Sequence, residues 1–250
     1  MEFAAFPIGI VIATLATMVG LGGGVLWVPY LVFAAGLEPH PAVTTSLAIQ
    51  IAGMASGGVA AIRKGKTDPR LAGVMSAAAV PGVVAGILLQ RIVNAESLVL
   101  LVGIACMACG LAFVVSREDH HILPAKDVSF RDVLPYLWTA PTLSVITGLL
   151  SVGVGDFLVP ILRNRLRLRM DSAVGACLVV MAVNALAGFT LLCVLGEPFS
   201  KTTALCGALG AIVGGQIGPR IADKLPDQTL KEIFIYGLSL IGIHVIFNSF

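Results

Sequence analysis

Several residues in this chain have the types and spacing to hold a small anion. Gly22, Gly23 and Gly24 sit inside an apolar run that extends from Phe6 to Ala35. The stretch Gly20-Leu21-Gly22-Gly23-Gly24 is too rich in glycine to continue a helix, so a break is expected there. A helix that restarts after a break offers unpaired N–H groups and about half a positive charge at its first turn, which suits an anion. Gly153 and Gly155 repeat the arrangement later in the chain. Neither tip carries a lysine or arginine, so an anion there would rest on dipoles and hydrogen bonds. Ser46, Gln50, Gly53 and Gly57 fall on one face of a helix, with Thr45 beside Ser46. The matching face of the second half reads Cys177, Met181, Asn184 and Gly188. Gln50 and Asn184 are uncharged amides in apolar surroundings and need partners, either substrate oxygens or the neighbouring backbone. Asp156 is the carboxylate expected near mid-membrane. It either caps the returning half-helix or carries a proton that moves with the anion.

Other chemistry has little support. There is no nucleophile motif, phosphate loop or paired carboxylate set, so an enzyme is not expected. No cofactor or metal is expected either. Cys106 and Cys109 lack partner ligands nearby, and Glu118, Asp119, His120 and His121 read as a solvated loop. A formal charge of +2 without a basic block gives no reason to expect nucleic acid. The five cysteines lie in or beside apolar stretches and read as free thiols packed like small hydrophobes.

The elements that must position these residues are membrane helices. Of the 250 residues 57% are hydrophobic and only 12% charged, against about 25% charged in a soluble domain. Apolar segments cover 3–35, 43–62, 71–89, 98–115, 133–162, 173–195, 202–217 and 230–247. The first and fifth are too long for one ordinary span and are broken by glycine. The other six suit a hydrocarbon core of about 30 Å. Nothing at Met1-Glu2-Phe3 resembles a cleaved signal peptide.

The two halves repeat. A shift of 131 positions puts Gly22 on Gly153, Gly24 on Gly155, Pro29 on Pro160, Gly57 on Gly188 and Gly65 on Gly196. Charge then orients them. If the fifth segment enters and leaves on one side, all of the 16 basic residues except Arg91 and Lys201 share a face of the membrane. The positive-inside rule makes that face cytoplasmic. By the repeat, the first segment is a matching hairpin entered from outside. The expected fold is all-α and polytopic: two inverted repeats, each a re-entrant hairpin plus three transmembrane helices. Residues 1–116 form the first repeat, 117–132 a cytoplasmic linker and 133–250 the second repeat. Both termini are expected outside, in the plasma (inner) membrane. Such inverted repeats with broken helices describe a secondary transporter. The small-xxx-small pairs Gly82/Gly86 and Gly214/Gly218 suit close helix crossings, within the protomer by preference or in a homodimer.

The stretch from Gly20 to Pro29, then Pro39-His-Pro-Ala-Val-Thr-Thr-Ser-Leu47, resembles the TauE/SafE sulfite exporter family. The spacing to Gly65-Lys-Thr-Asp-Pro-Arg-Leu71 resembles it too. The resemblance implies a transporter that exports sulfite, an organosulfonate such as sulfoacetate, or a related sulfur oxyanion. The second half departs from the family pattern at Val154, Asp156 and Arg163–Arg169, and has Cys177 where Ser or Thr is common. The expected substrate-binding set is Gly22, Gly23, Gly24, Thr45, Ser46, Gln50, Gly153, Gly155 and Asn184, with Asp156 the candidate for proton coupling. Two rivals stand beside export: a proton-coupled importer of a similar anion, and a membrane scaffold that transports nothing.

Overall fold

A computed structural model describes residues 2–19, 22–115, 137–153, 155, 158–159, 161–162, 170–222, 232, 242–243, 245 and 247. Among the described residues there is no strand. Helix α1 (Ala5–Val19) ends just before the glycine run, and α2 (Gly24–Pro29) begins at its last glycine. The long helices are α3 (Pro39–Arg63), α4 (Pro69–Gln90) and α5 (Ala95–Val115). Beyond the central stretch come α6 (Thr139–Leu150), α7 (Met170–Val194) and α8 (Lys201–Ala222).

Local chemistry fixes these boundaries. Pro39 and Pro69 open α3 and α4, where a missing N–H costs nothing. The Asp68 carboxylate accepts from the Arg70 N–H at 2.8 Å and caps α4. Asn94 accepts from the Ser97 N–H at 2.8 Å and caps α5 in the same way. Pro29 cannot donate to the Val25 carbonyl four residues back. The Cys106 thiol reaches that carbonyl from α5 at 3.6 Å. Directly after Pro29 the chain loosens into a π-helical turn, Tyr30–Ala34, in which the Ala35 N–H bonds the Tyr30 carbonyl at 3.0 Å. The returning arm therefore has six residues of α2 and five of π-helix, shorter than the fifteen of α1. Gly36, with φ 71°, ends the return.

Contacts at the helix ends show how the bundle runs. The Ser200 N–H, just before α8, bonds Thr45 near the start of α3. Arg91, just after α4, faces Glu197, just after α7, at 3.6 Å. Thr67, between α3 and α4, packs over Gly175 near the start of α7. So α3 and α8 start at the end of the bundle where α4 and α7 finish. Arg63, Lys64, Lys66, Arg70 and Arg220 gather at the opposite end.

The half-helices run alongside long ones. A Cβ on Gly210 would overlap the Phe6 carbonyl, one on Gly214 would meet Ile10 and Thr14, and one on Gly218 would overlap Thr17. Helix α1 therefore lies parallel to α8 at backbone contact. In the same way Gly82 faces Pro141, while Gly86 faces Val145 and Gly148, so α6 lies parallel to α4. The glycine stripes are filled from within the chain, and small residues are what let the backbones approach so closely.

Four described helices are long and apolar enough to cross a membrane: α3, α4, α7 from Ser172, and α8. The sequence predicts six crossings. Of the other two, α5 is a helix of 21 residues whose searched stretch, Ala95–Cys109, is shorter than those four, and 230–247 lies mostly outside the described residues. Among the thiols, Cys106, Cys109 and Cys177 are buried as expected, but Cys193 is exposed on the outer surface of α7.

Candidate functional site

The two glycine-rich tips meet backbone to backbone. A Cβ on Gly22 would overlap the Gly153 Cα and N, and one on Gly153 would overlap the Gly22 Cα. A Cβ on Gly24 would overlap the Ser151 carbonyl and come within 3.0 Å of Gln50 Nε2. Only glycine fits at these contacts. Gly23 differs: its Cβ would meet side chains only, Trp27 Cδ1 at 3.3 Å, Met54 Cε at 3.5 Å and Gln50 Cγ at 3.7 Å. The turn before α2 uses several of its own donors. The Val25, Leu26 and Trp27 N–H groups bond the Gly22 and Gly23 carbonyls at 3.3, 3.1, 2.8 Å.

A polar cluster lies against the joined tips. Gln50 Nε2, on α3, donates to Ser151 Oγ at 2.6 Å. Ser46 Oγ and the Ser151 carbonyl lie at 3.1 Å from the same nitrogen. An amide nitrogen has two protons, so these three acceptors share them. The Ser151 hydroxyl also donates to Ser46 Oγ at 3.1 Å. Gln50 is 3% exposed, and Ser46 and Ser151 are fully buried.

Ser151 is missing from the sequence-predicted set, yet it is the hub of this cluster. It closes α6 in the left-handed conformation, with φ 59°, which among described non-glycine residues it alone adopts. Holding serine there costs about 1–3 kcal/mol, and such strain concentrates at functional positions. A signal was available: the shift of 131 puts Ser151 on Gly20.

The remaining candidates divide. Asn184 is fully buried on α7 and donates from Nδ2 to Ser144 Oγ on α6 at 2.9 Å, leaving Oδ1 without a partner. Gly155 is buried and helical beyond the second tip. Thr45 is not brought to the cluster. Its hydroxyl donates to the Pro41 carbonyl at 2.7 Å and accepts from the Ser200 N–H at 3.1 Å, so it ties α3 to the start of α8. Asp156 lies outside the described residues, as do Glu118–His121. No described Asp, Glu, His, Lys or Arg falls among the tip residues and their partners. Among the described residues no three His, Cys, Asp or Glu come together as a metal site would require.

Chemically this is a buried, uncharged site of hydroxyls and one amide around two chain breaks that touch each other. Broken helices with polar groups at membrane depth belong to proteins that move solutes. The chain matches the family described as "Sulfite exporter TauE/SafE" over residues 5–245, and it belongs to that family. It is a membrane transporter. It is similar to the "Probable membrane transporter protein YunE" of Bacillus subtilis, 24% identical, with 97% of this chain and 96% of the relative covered. A "Probable membrane transporter protein" of Xylella fastidiosa strain Temecula1 is 25% identical, covering 93% of this chain and 90% of the relative. No solved structure gives a significant match.

Proposed function

We propose that this transporter exports a small sulfur oxyanion, sulfite or an organosulfonate such as sulfoacetate, across the plasma membrane. The substrate sits where the tips at Gly22 and Gly24 meet those at Ser151 and Gly153. The observation that carries the reading is the contact of Gly22 with Gly153, with the Ser46, Gln50 and Ser151 donors beside it. The two tips are in contact, so the substrate enters by parting them. Gln50 and the two hydroxyls then turn from one another to the anion oxygens. The sulfur oxyanion itself is suggested by the family's description. An interior-negative potential drives each anionic charge outward by about 2.3 kcal/mol per 100 mV.

The alternating access this needs is supported by the helix directions. In the 131-residue correspondence α3 matches α7, and these helices run oppositely. Each half-helix lies along a long helix of the other half. That is the reciprocity expected of inverted repeats. The basic end of the bundle is then cytoplasmic, with both termini outside. A single cysteine at Lys64 should resist an impermeant thiol reagent in intact cells, while one at Arg91 should react.

Proteoliposomes loaded with labelled sulfite or sulfoacetate test the function. Protein-dependent efflux of either is expected. Folded protein that moves neither, above empty liposomes, removes the substrate reading. The same vesicles test Asp156. If it must be protonated, flux rises as pH falls and Asp156→Asn loses that dependence.

A further inference from the structure

The second polar patch of the bundle is incomplete. On α6, Ser144 and Thr147 are three positions apart on one face, and Ser151, four further on, caps the helix. All three are buried, none more than 2% exposed. Ser144 at one end accepts from Asn184 Nδ2, and Ser151 at the other belongs to the Gln50 cluster. Thr147 lies between them, and its hydroxyl oxygen has no hydrogen-bond partner. Asn184 Oδ1, beside Ser144, has none either. Thr147 follows Ser144 by three positions on α6 and Asn184 bonds Ser144, so each unpartnered oxygen belongs to a neighbour of that serine. Two such buried oxygens are costly unless something binds them.

The occupant has to suit acceptors. Asn184 presents a carbonyl oxygen, which repels an anion. Thr147 is in the last turn of α6, whose C-terminal end carries about half a negative charge and several carbonyls without helical donors. None of Ser144, Thr147 and Asn184 titrates, so the patch cannot itself take up a proton. Without a carboxylate it does not suit a divalent ion. Neutral oxygens at the C-terminal end of a broken helix are how transporters coordinate alkali cations.

We propose that Ser144, Thr147, Asn184 and the C-terminal end of α6 form a binding site for a monovalent alkali cation. Seated one turn from Ser151, the cation sets a positive charge beside an anion site that has no basic side chain among the described residues. Turning the Asn184 amide over would put a donor where the carbonyl now is, the orientation an anion would demand.

The test is direct cation binding by purified protein in nanodiscs, in choline chloride and with no substrate anion. Radiolabelled sodium is titrated in one arm and radiolabelled rubidium, standing for potassium, in the other. Saturable binding of one of them is expected, weakened about tenfold in Thr147→Val and at least as much in Asn184→Leu. Thr147→Ser retains it. Asn184→Asp tightens it as the carboxylate ionises, whereas an anion site would be lost. If the apolar variants do not fold, Thr147→Ser and Asn184→Asp decide. The proposal is overturned if folded wild type binds neither cation saturably, if both apolar variants bind unchanged, or if Asn184→Asp fails to tighten binding. Binding is read without sulfite or sulfonate, so failure of the substrate reading leaves this result standing, and the reverse holds too.

Discussion

The same face of α3 and of α7 meets the joined tips, and the two faces differ. Ser46 and Gln50 on α3 correspond to Cys177 and Met181 on α7. Gln50 reaches across to Ser151 of the second tip, while a Cβ on Gly153 would lie 2.7 Å from Met181 Sδ. Further along, the order reverses. Asn184 on α7 finds Ser144, while its counterpart Gly53 only lets Ala211 approach. At the tips, glycine meets glycine at positions 22 and 153, which the shift of 131 pairs. The side chains break that pairing, and polar groups end up on different levels of the two helices.

The largest expected effect tests the backbone half of that contrast. Gly22→Ala must push two backbones apart, a cost of about 3 kcal/mol or more. Gly23→Ala meets only the ends of Trp27, Met54 and Gln50, which can give. Melting temperatures in detergent should fall steeply for Gly22→Ala and little for Gly23→Ala, with flux lost only in the first. Equal melting of the two would mean that the tips do not touch.

Next come the matched positions on α3 and α7. Gln50→Leu removes the donor shared by Ser46 and the two Ser151 oxygens. Transport efficiency should fall by about 1–3 kcal/mol in free-energy terms, read as flux against substrate concentration. Met181→Leu keeps volume and loses no hydrogen bond, so less than about 1.5 kcal/mol of stability and little flux should change. Similar flux losses in both would erase the asymmetry.

Ser151 separates strain from chemistry. Ser151→Gly relieves the left-handed backbone but removes the hydroxyl, and the two effects on stability nearly cancel at about 1 kcal/mol each. Ser151→Ala keeps the strain and loses the bonds, so it should be the less stable of the pair. Both should weaken substrate binding. A glycine variant with normal affinity would show that the hydroxyl is structural.

Much of this was legible because glycine and proline report on backbone. The run at Gly20–Gly24 gave the break, and the matched Gly153 gave its partner. Ser46 and Gln50 followed from helical spacing. Ser151 was marked only by its match to Gly20, because a serine itself carries no sign of a positive φ. Both Thr45 and Ser46 were expected in the site; that Thr45 instead ties α8 depends on where α8 begins, which no local pattern on α3 encodes.

That tie yields the smallest effect. Thr45 and Ser46 are neighbours about 100° apart around α3. Thr45 accepts the Ser200 N–H at 3.1 Å, while Ser46 takes part in the cluster at the tips. Thr45→Val preserves shape and leaves that N–H without its acceptor, costing about 1 kcal/mol of stability. Substrate affinity should not change. Ser46→Ala leaves the Ser151 hydroxyl without its acceptor, so it should lower affinity as well as melting. The counterpart of Thr45 in the second half is Ala176, buried and without a hydroxyl. The second half thus does without this tie, which fits a part in anchoring α8 and not in binding. Loss of affinity in Thr45→Val, with melting unchanged, would move Thr45 into the site and require α3 to turn as the tips part.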